Sequence, residues 1–133
     1  MNLVLRLGGD EVDIDNLSRL TTLVPYRIER LGVGKSKTNC LFYNIDTTRS
    51  VKESEGFTIL KNFLHENRIW LDSVEKVDGV TFREVDIGLI ISSNMAAKTV
   101  TMDPDLLRYF GDLGLSLTVS IYKGSEAEGE ALN

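Results

Sequence analysis

Hydrophobic residues recur along this chain with two periods, one near two and one near three and a half, and the changes of period divide it into elements. The change is sharpest in DPDLLRYFGDLGLSLTVSIY, residues 103–122. Asp103 suits a helix N-cap, Pro104 fits the first helical position with its fixed φ, and Asp105 places a carboxylate at the positive end of the dipole. Leu106, Leu107, Phe110 and Leu113 share one helical face, and Gly114 can take positive φ just past the end. Leu115, Leu117, Val119 and Ile121 then alternate with Ser116, Thr118, Ser120 and Tyr122, the period of a strand with one buried and one polar face. A helix folded back against a sheet is the prediction.

The same reading runs from the N-terminus. Leu3, Leu5 and Leu7 alternate with Asn2, Val4 and Arg6, a strand that stops at Gly8-Gly9 and whose apolar character on nearly both faces predicts a central position. A short helix is expected from about Asp15 through Leu17, Leu20 and Leu23, ended by Pro25. Tyr26 and Ile28 open a second strand into Leu31, followed by the basic loop GVGKSKT. Residues 40–47 read as a strand with Leu41, Tyr43 and Ile45 on one face and Cys40, Phe42 and Asn44 on the other. From Ser54 to about Leu71, Phe57, Leu60, Leu64 and Leu71 form a helical stripe widened by Phe63 and Trp70. Asp78-Gly79 is a turn signal, with Val77 and Val80 flanking it as in a hairpin. Val80 and Phe82 have the opposite parity to Val85, Ile87, Leu89 and Ile91, which implies a bulge or break near Arg83-Glu84.

The expected fold class is α+β: one domain over residues 1–122 in the order βαββαβαβ, with a mixed or antiparallel sheet and about three helices mainly on one face. Residues 123–133 read as an acidic, flexible tail with too little apolar surface to order itself. At 133 residues and 42% hydrophobic, the chain suits one core of ordinary size.

Charge narrows the partners. Fifteen basic against twenty acidic residues give a formal charge of −5, which disfavours a polyanion, so no nucleic acid is expected. Within residues 123–133 one Lys faces three Glu, which leaves a mildly acidic body. No run of apolar residues is long enough for a membrane span, and the N-terminus lacks the basic region of an export signal. A lone cysteine, Cys40, forms no internal disulfide and fits a reducing cytoplasm.

Four signals carry candidate chemistry. Gly34-Lys35-Ser36 resembles the end of a phosphate-binding loop, but the glycine that motif requires five positions earlier is Glu29. Asp10, Glu11, Asp13 and Asp15 crowd the first helix's positive end; read as a calcium loop from Asp13 they fail, because Leu17 and Val24 stand where oxygen ligands belong. His65 lacks the second histidine of a zinc helix, Ile69 occupying that position, and reads as a surface residue. Cys40 lies among apolar strand neighbours, and Trp70 and Tyr109 sit at core spacing. No cofactor and no metal is expected, and any enzyme would have to rest on scattered carboxylates.

Two stretches, LRLGGDEVDIDNLSRLTTLVPYR and DPDLLRYFGDLGLSLTVSIY, resemble a bacterial family known as a domain of unknown function, number four-two-seven-nine. The first is similar to its opening L-R-I-x-G strand, acids and short helix; the second to its closing helix, L-G-L turn and strand ending in Ile-Tyr. The resemblance implies a small α+β protein without catalytic residues to carry over. The function expected is a non-enzymatic protein-binding module, in its most concrete form a cytoplasmic immunity protein that covers a toxin's basic site with Asp10, Glu11, Asp13 and Asp15. The alternative is an enzyme or sensor that takes a small phosphate-bearing ligand at Lys35 and Ser36.

Overall fold

Alternation of Leu3, Leu5 and Leu7 with Val4, Arg6 and Gly8 makes residues Asn2–Gly9 a strand, β1, that buries both of its faces. The structure, a computed structural model, describes residues 1–45 and 53–124. After β1 come α1 (Ile14–Ser18), β2 (Arg27–Glu29), β3 (Asn39–Asn44), α2 (Glu53–Glu66), α3 (Arg68–Val74), β4 (Phe82–Ser92), α4 (Pro104–Asp112) and β5 (Ser116–Gly124). The five strands form one mixed sheet in the order β2-β3-β1-β4-β5, so β1 is central as its composition predicts. All neighbouring pairs are antiparallel except β4 and β5, which run parallel because α4 carries the chain back across the sheet between them. The fold is α+β, with four helices among the described residues rather than about three.

Register decides which side chains share a face. Leu5 lies opposite Tyr43 on β3 and Val85 on β4, and Val85 and Ile87 lie beside Leu117 and Val119 on β5. On this face the leucines of β1 meet Leu17 of α1, Leu60 and Leu64 of α2, Leu71 and Val74 of α3, and Leu106 and Phe110 of α4 in one core. Lys98 ties the loop after β4 to the start of α2 through Glu53, at 2.5 Å, while donating to the Ile90 carbonyl.

Several expectations change in detail. The stripe predicted as one helix from Ser54 to Leu71 is two, broken at Asn67. Its side-chain amide donates to the Phe63 carbonyl and its Oδ1 accepts from Trp70 Nε1 at 2.7 Å, so Asn67 competes with the helical backbone while fixing the indole against Tyr43. The first helix ends at Ser18, well before Pro25, and Asp13 rather than Asp15 is its cap. Asp78-Gly79 is a turn with Gly79 at φ +86, but no hairpin: Val77 bonds back to Val74 at the end of α3. No bulge interrupts β4, whose register against β1 is continuous from Phe82 to Gly88. Its parity conflict is resolved because Phe82 belongs to the other face, lying over Gly8, where a Cβ would come within 2.7 Å of the ring.

The closing helix forms where its pattern predicts, with Asp103 capping α4 at the Leu106 amide and Gly114 at φ +64, although Leu107, expected on its apolar face, is exposed. The strand after it is less buried than alternation implies, Val119 being 41% and Ile121 63% exposed. Nine helical residues span about 13 Å and nine strand residues about 30 Å, so α4 covers only the beginning of β5. β5 runs through Lys123 and Gly124, two residues into the segment expected as tail. Residues 125–133, the rest of that expectation, lie outside the described residues, as do Asp46 and Thr47 at the end of the expected third strand.

Candidate functional site

At the β2 edge of the sheet, one side chain brings two sequence signals together. Asn39, the first residue of β3, accepts from the Leu31 amide at 2.8 Å and donates to the Asp10 and Val12 carbonyls. The turn bearing the acids and the loop after β2 are thereby held against each other. Arg30 adds a second tie, its guanidinium 2.9 Å from Asp15. The Arg30 hydrogen bond, reinforced by its charge, holds the Asp15 carboxyl below the ordinary value.

The four acids do different things. Asp13 Oδ1 accepts from the Asp15 and Asn16 amides at 3.1 Å each, the work of an N-cap. Asp15 is engaged by Arg30. Asp10 and Glu11 are exposed and enter no ion pair among the described residues. Asn39 brings their turn to one end of an exposed apolar run that the sequence reading passed over. Leu23, Val24, Tyr26, Ile28, Leu31 and Val33 are all exposed, Val24 by 85%, and Tyr26 stacks at a tilt on Phe42. Such a concentration of large apolar side chains on a surface edge marks an interaction site more often than a solvated loop. In sequence the acids and this run read as unrelated, because Asn39, which joins them, carries no signal of its own between the predicted loop and strand.

A second constellation lies on the face of the sheet opposite the helices. Arg6 Nη1 is 2.8 Å from Glu84 and its Nη2 bonds to Asp86. From β5, Thr118 donates to Glu84 at 2.9 Å and Ser120 to Asp86 at 2.8 Å. The guanidinium lies 5.8 Å from the centre of the Phe42 ring, and that of Arg27 5.2 Å. Both carboxylates thus receive charged and neutral donors at once and are held as ion-paired acceptors rather than as a pair poised for proton transfer, while Arg6 Nε is buried without a partner among the described residues.

The remaining sequence candidates are dispersed. Lys35 is exposed in a loop whose Gly32 and Gly34 take positive φ, and the amides of Gly32, Val33 and Ser36 donate to carbonyls of the loop itself. Amides so engaged do not point at a phosphate. His65 is exposed, with Nδ1 2.7 Å from the Tyr109 hydroxyl, at an open groove of about 520 Å³ between α2 and α4 that Lys61, Asp105 and Arg108 also line. Lys61 and Arg108 are paired there with Asp103 and Asp105. Cys40 is buried on the sheet, and burial, with the Glu29 charge next, pushes its thiol up to about 12. Among the described residues no group of three or more His, Cys, Asp or Glu could hold a metal ion, and no helix is long and apolar enough to cross a membrane.

Compared with protein-family models, with curated proteins and with solved structures, the chain matches none.

Proposed function

We propose that the chain is a non-enzymatic protein-binding module whose partner presents basic residues around an apolar centre. The observation that carries this reading is the tie made by Asn39, which holds the Leu31 end of the exposed apolar β2 edge against the turn bearing Asp10 and Glu11, carboxylates that enter no ion pair among the described residues. An apolar centre supplies contact area, and acids on its rim raise the rate of encounter with a basic surface. Because the acids sit on a turn fixed by β1 and α1, little ordering entropy is lost when they meet a partner. In its most concrete form this is a cytoplasmic immunity-type protein that covers the basic active site of a toxin. Membership of the family that the chain resembles belongs with the same proposal.

The test is comparative capture from the source cell. Wild type, the pair Asp10→Lys with Glu11→Lys, and Val24→Asp are immobilised separately, and the proteins they retain are identified by mass spectrometry. A basic protein held by wild type at low salt, released at high salt and lost from both variants is the expected result. The variants should melt with wild type, since each altered side chain is exposed. Recovery of the same proteins by all three baits, or of no partner at low salt, overturns the reading.

A further inference from the structure

The other edge of the sheet is built differently from the β2 edge. β5 is nine residues long, and from Ser116 to Tyr122 it carries no charge, no proline and no glycine. Natural edge strands are usually shortened, charged, bulged or covered, because a long bare edge offers its backbone to any other strand. Here Val119 and Ile121 are exposed on the helix side beyond the reach of α4, and Tyr122 is exposed on the other. We propose that β5 pairs antiparallel with β5 of a second copy about a two-fold axis at Ser120, joining two sheets into one of ten strands.

Self-complementarity points to a second copy. Ser120 is the midpoint of Ser116–Gly124, so only this register pairs all nine residues. Val119 then lies opposite Ile121 of the copy, twice over, and the two exposed apolar pairs cover each other where no helix among the described residues does. On the opposite face Thr118 lies across from Tyr122, a pairing of β-branched and aromatic side chains that stabilises sheets. The single charge, Lys123, falls opposite Leu117, and the two Lys123 residues stand six strand positions apart, about 20 Å, too far to repel strongly in physiological salt. An axis normal to the sheet requires this antiparallel arrangement and closes the assembly at two. On the binding reading above, the two β2 edges would then stand at opposite ends, nine strand spacings or about 43 Å apart, making the dimer bivalent.

Sedimentation or light scattering of the whole chain at about 100 µM tests the pairing by mass action. The expected mass is twice 14.9 kDa, falling to 14.9 kDa for Ile121→Lys with no change in melting profile beyond the loss of association. The register is tested by oxidative cross-linking, for which buried Cys40 is a silent background. Ser120→Cys faces itself across the axis and should link nearly completely. Ser116→Cys, eight positions or about 27 Å from its own copy, should not. A single-copy mass for wild type, a doubled mass retained by Ile121→Lys, failure of Ser120→Cys to link, or linking at 116 as readily as at 120 each overturns the proposal. The cross-link does not depend on the β2 edge, so failure of the dimer and failure of the binding reading are separately visible.

Discussion

The two faces of β1 are shielded from water to different degrees and by different means. On one, Leu3, Leu5 and Leu7 are covered by the helices, and cohesion is hydrophobic and non-directional. On the other, no helix among the described residues covers the sheet, and still Cys40 is 2% and Asp86 7% exposed. There the cover is made of side chains lying flat: Arg6 and Arg27 across Phe42, with the Arg6 fork closing on Glu84 and Asp86 and the β5 hydroxyls closing the remaining side. A face of this kind holds together through partners that need one another, so its stability is pairwise where that of the helix face is summed over area.

Substitutions that treat the two faces alike should therefore behave differently. The largest effect is expected on the helix face: Leu5→Ala, at a fully buried site, should destabilise by about 2–5 kcal/mol in denaturant melts. Loss of the other face's centre should come next. Arg6→Ala strands Asp86 without its cation and should cost about 2 kcal/mol, less than a deeply buried pair because the arginine is about a third exposed. The comparison sharpens in a double-mutant cycle: Arg6→Ala with Asp86→Ala should cost clearly less than the two singles added. Simple additivity would show that the network does not act as a unit, and the contrast between faces would fall.

The smallest effect is the dryness of the second face itself, read through Cys40. Its thiol is raised in the folded chain from the ordinary 9.0 to about 12, so the neutral form's contribution is complete below pH 9 and is lost as pH rises from there towards 12. At pH 8 the native thiol should resist a disulfide reagent that reacts at once in denaturant. Cys40→Ser should flatten part of the alkaline fall in stability. Rapid reaction in the native state would mean that water reaches this face freely.

The amino-acid sequence alone determined the elements whose signal is local. Leu3, Leu5 and Leu7, the Asp103 to Gly114 helix with its cap and stop, and the alternation from Leu115 onward each lie within one contiguous stretch, where period and capping chemistry act on near neighbours. The mixed α+β class followed from them. What the tertiary structure decided was every relation that crosses the chain. Phe82 looked out of step with Val85 until the register with Gly8 showed that β4 simply uses both faces. Asn67 broke a helix because Trp70 and Phe63 gave its side chain partners, a choice no helical stripe encodes. The acids after β1 were legible as acids, but their division into a cap, an ion pair and two carboxylates without an ion pair among the described residues depended on Arg30 and on the position of the cap. Arg6 is some eighty residues from Glu84 and Asp86 in sequence and adjacent to them only because antiparallel pairing places it so. Asn39 likewise joins Asp10 and Val12 to Leu31 through three hydrogen bonds. Hydrophobic periodicity reports which face a residue takes; which residue lies across from it is set by strand order and register, and those emerge only when the whole sheet closes on its core.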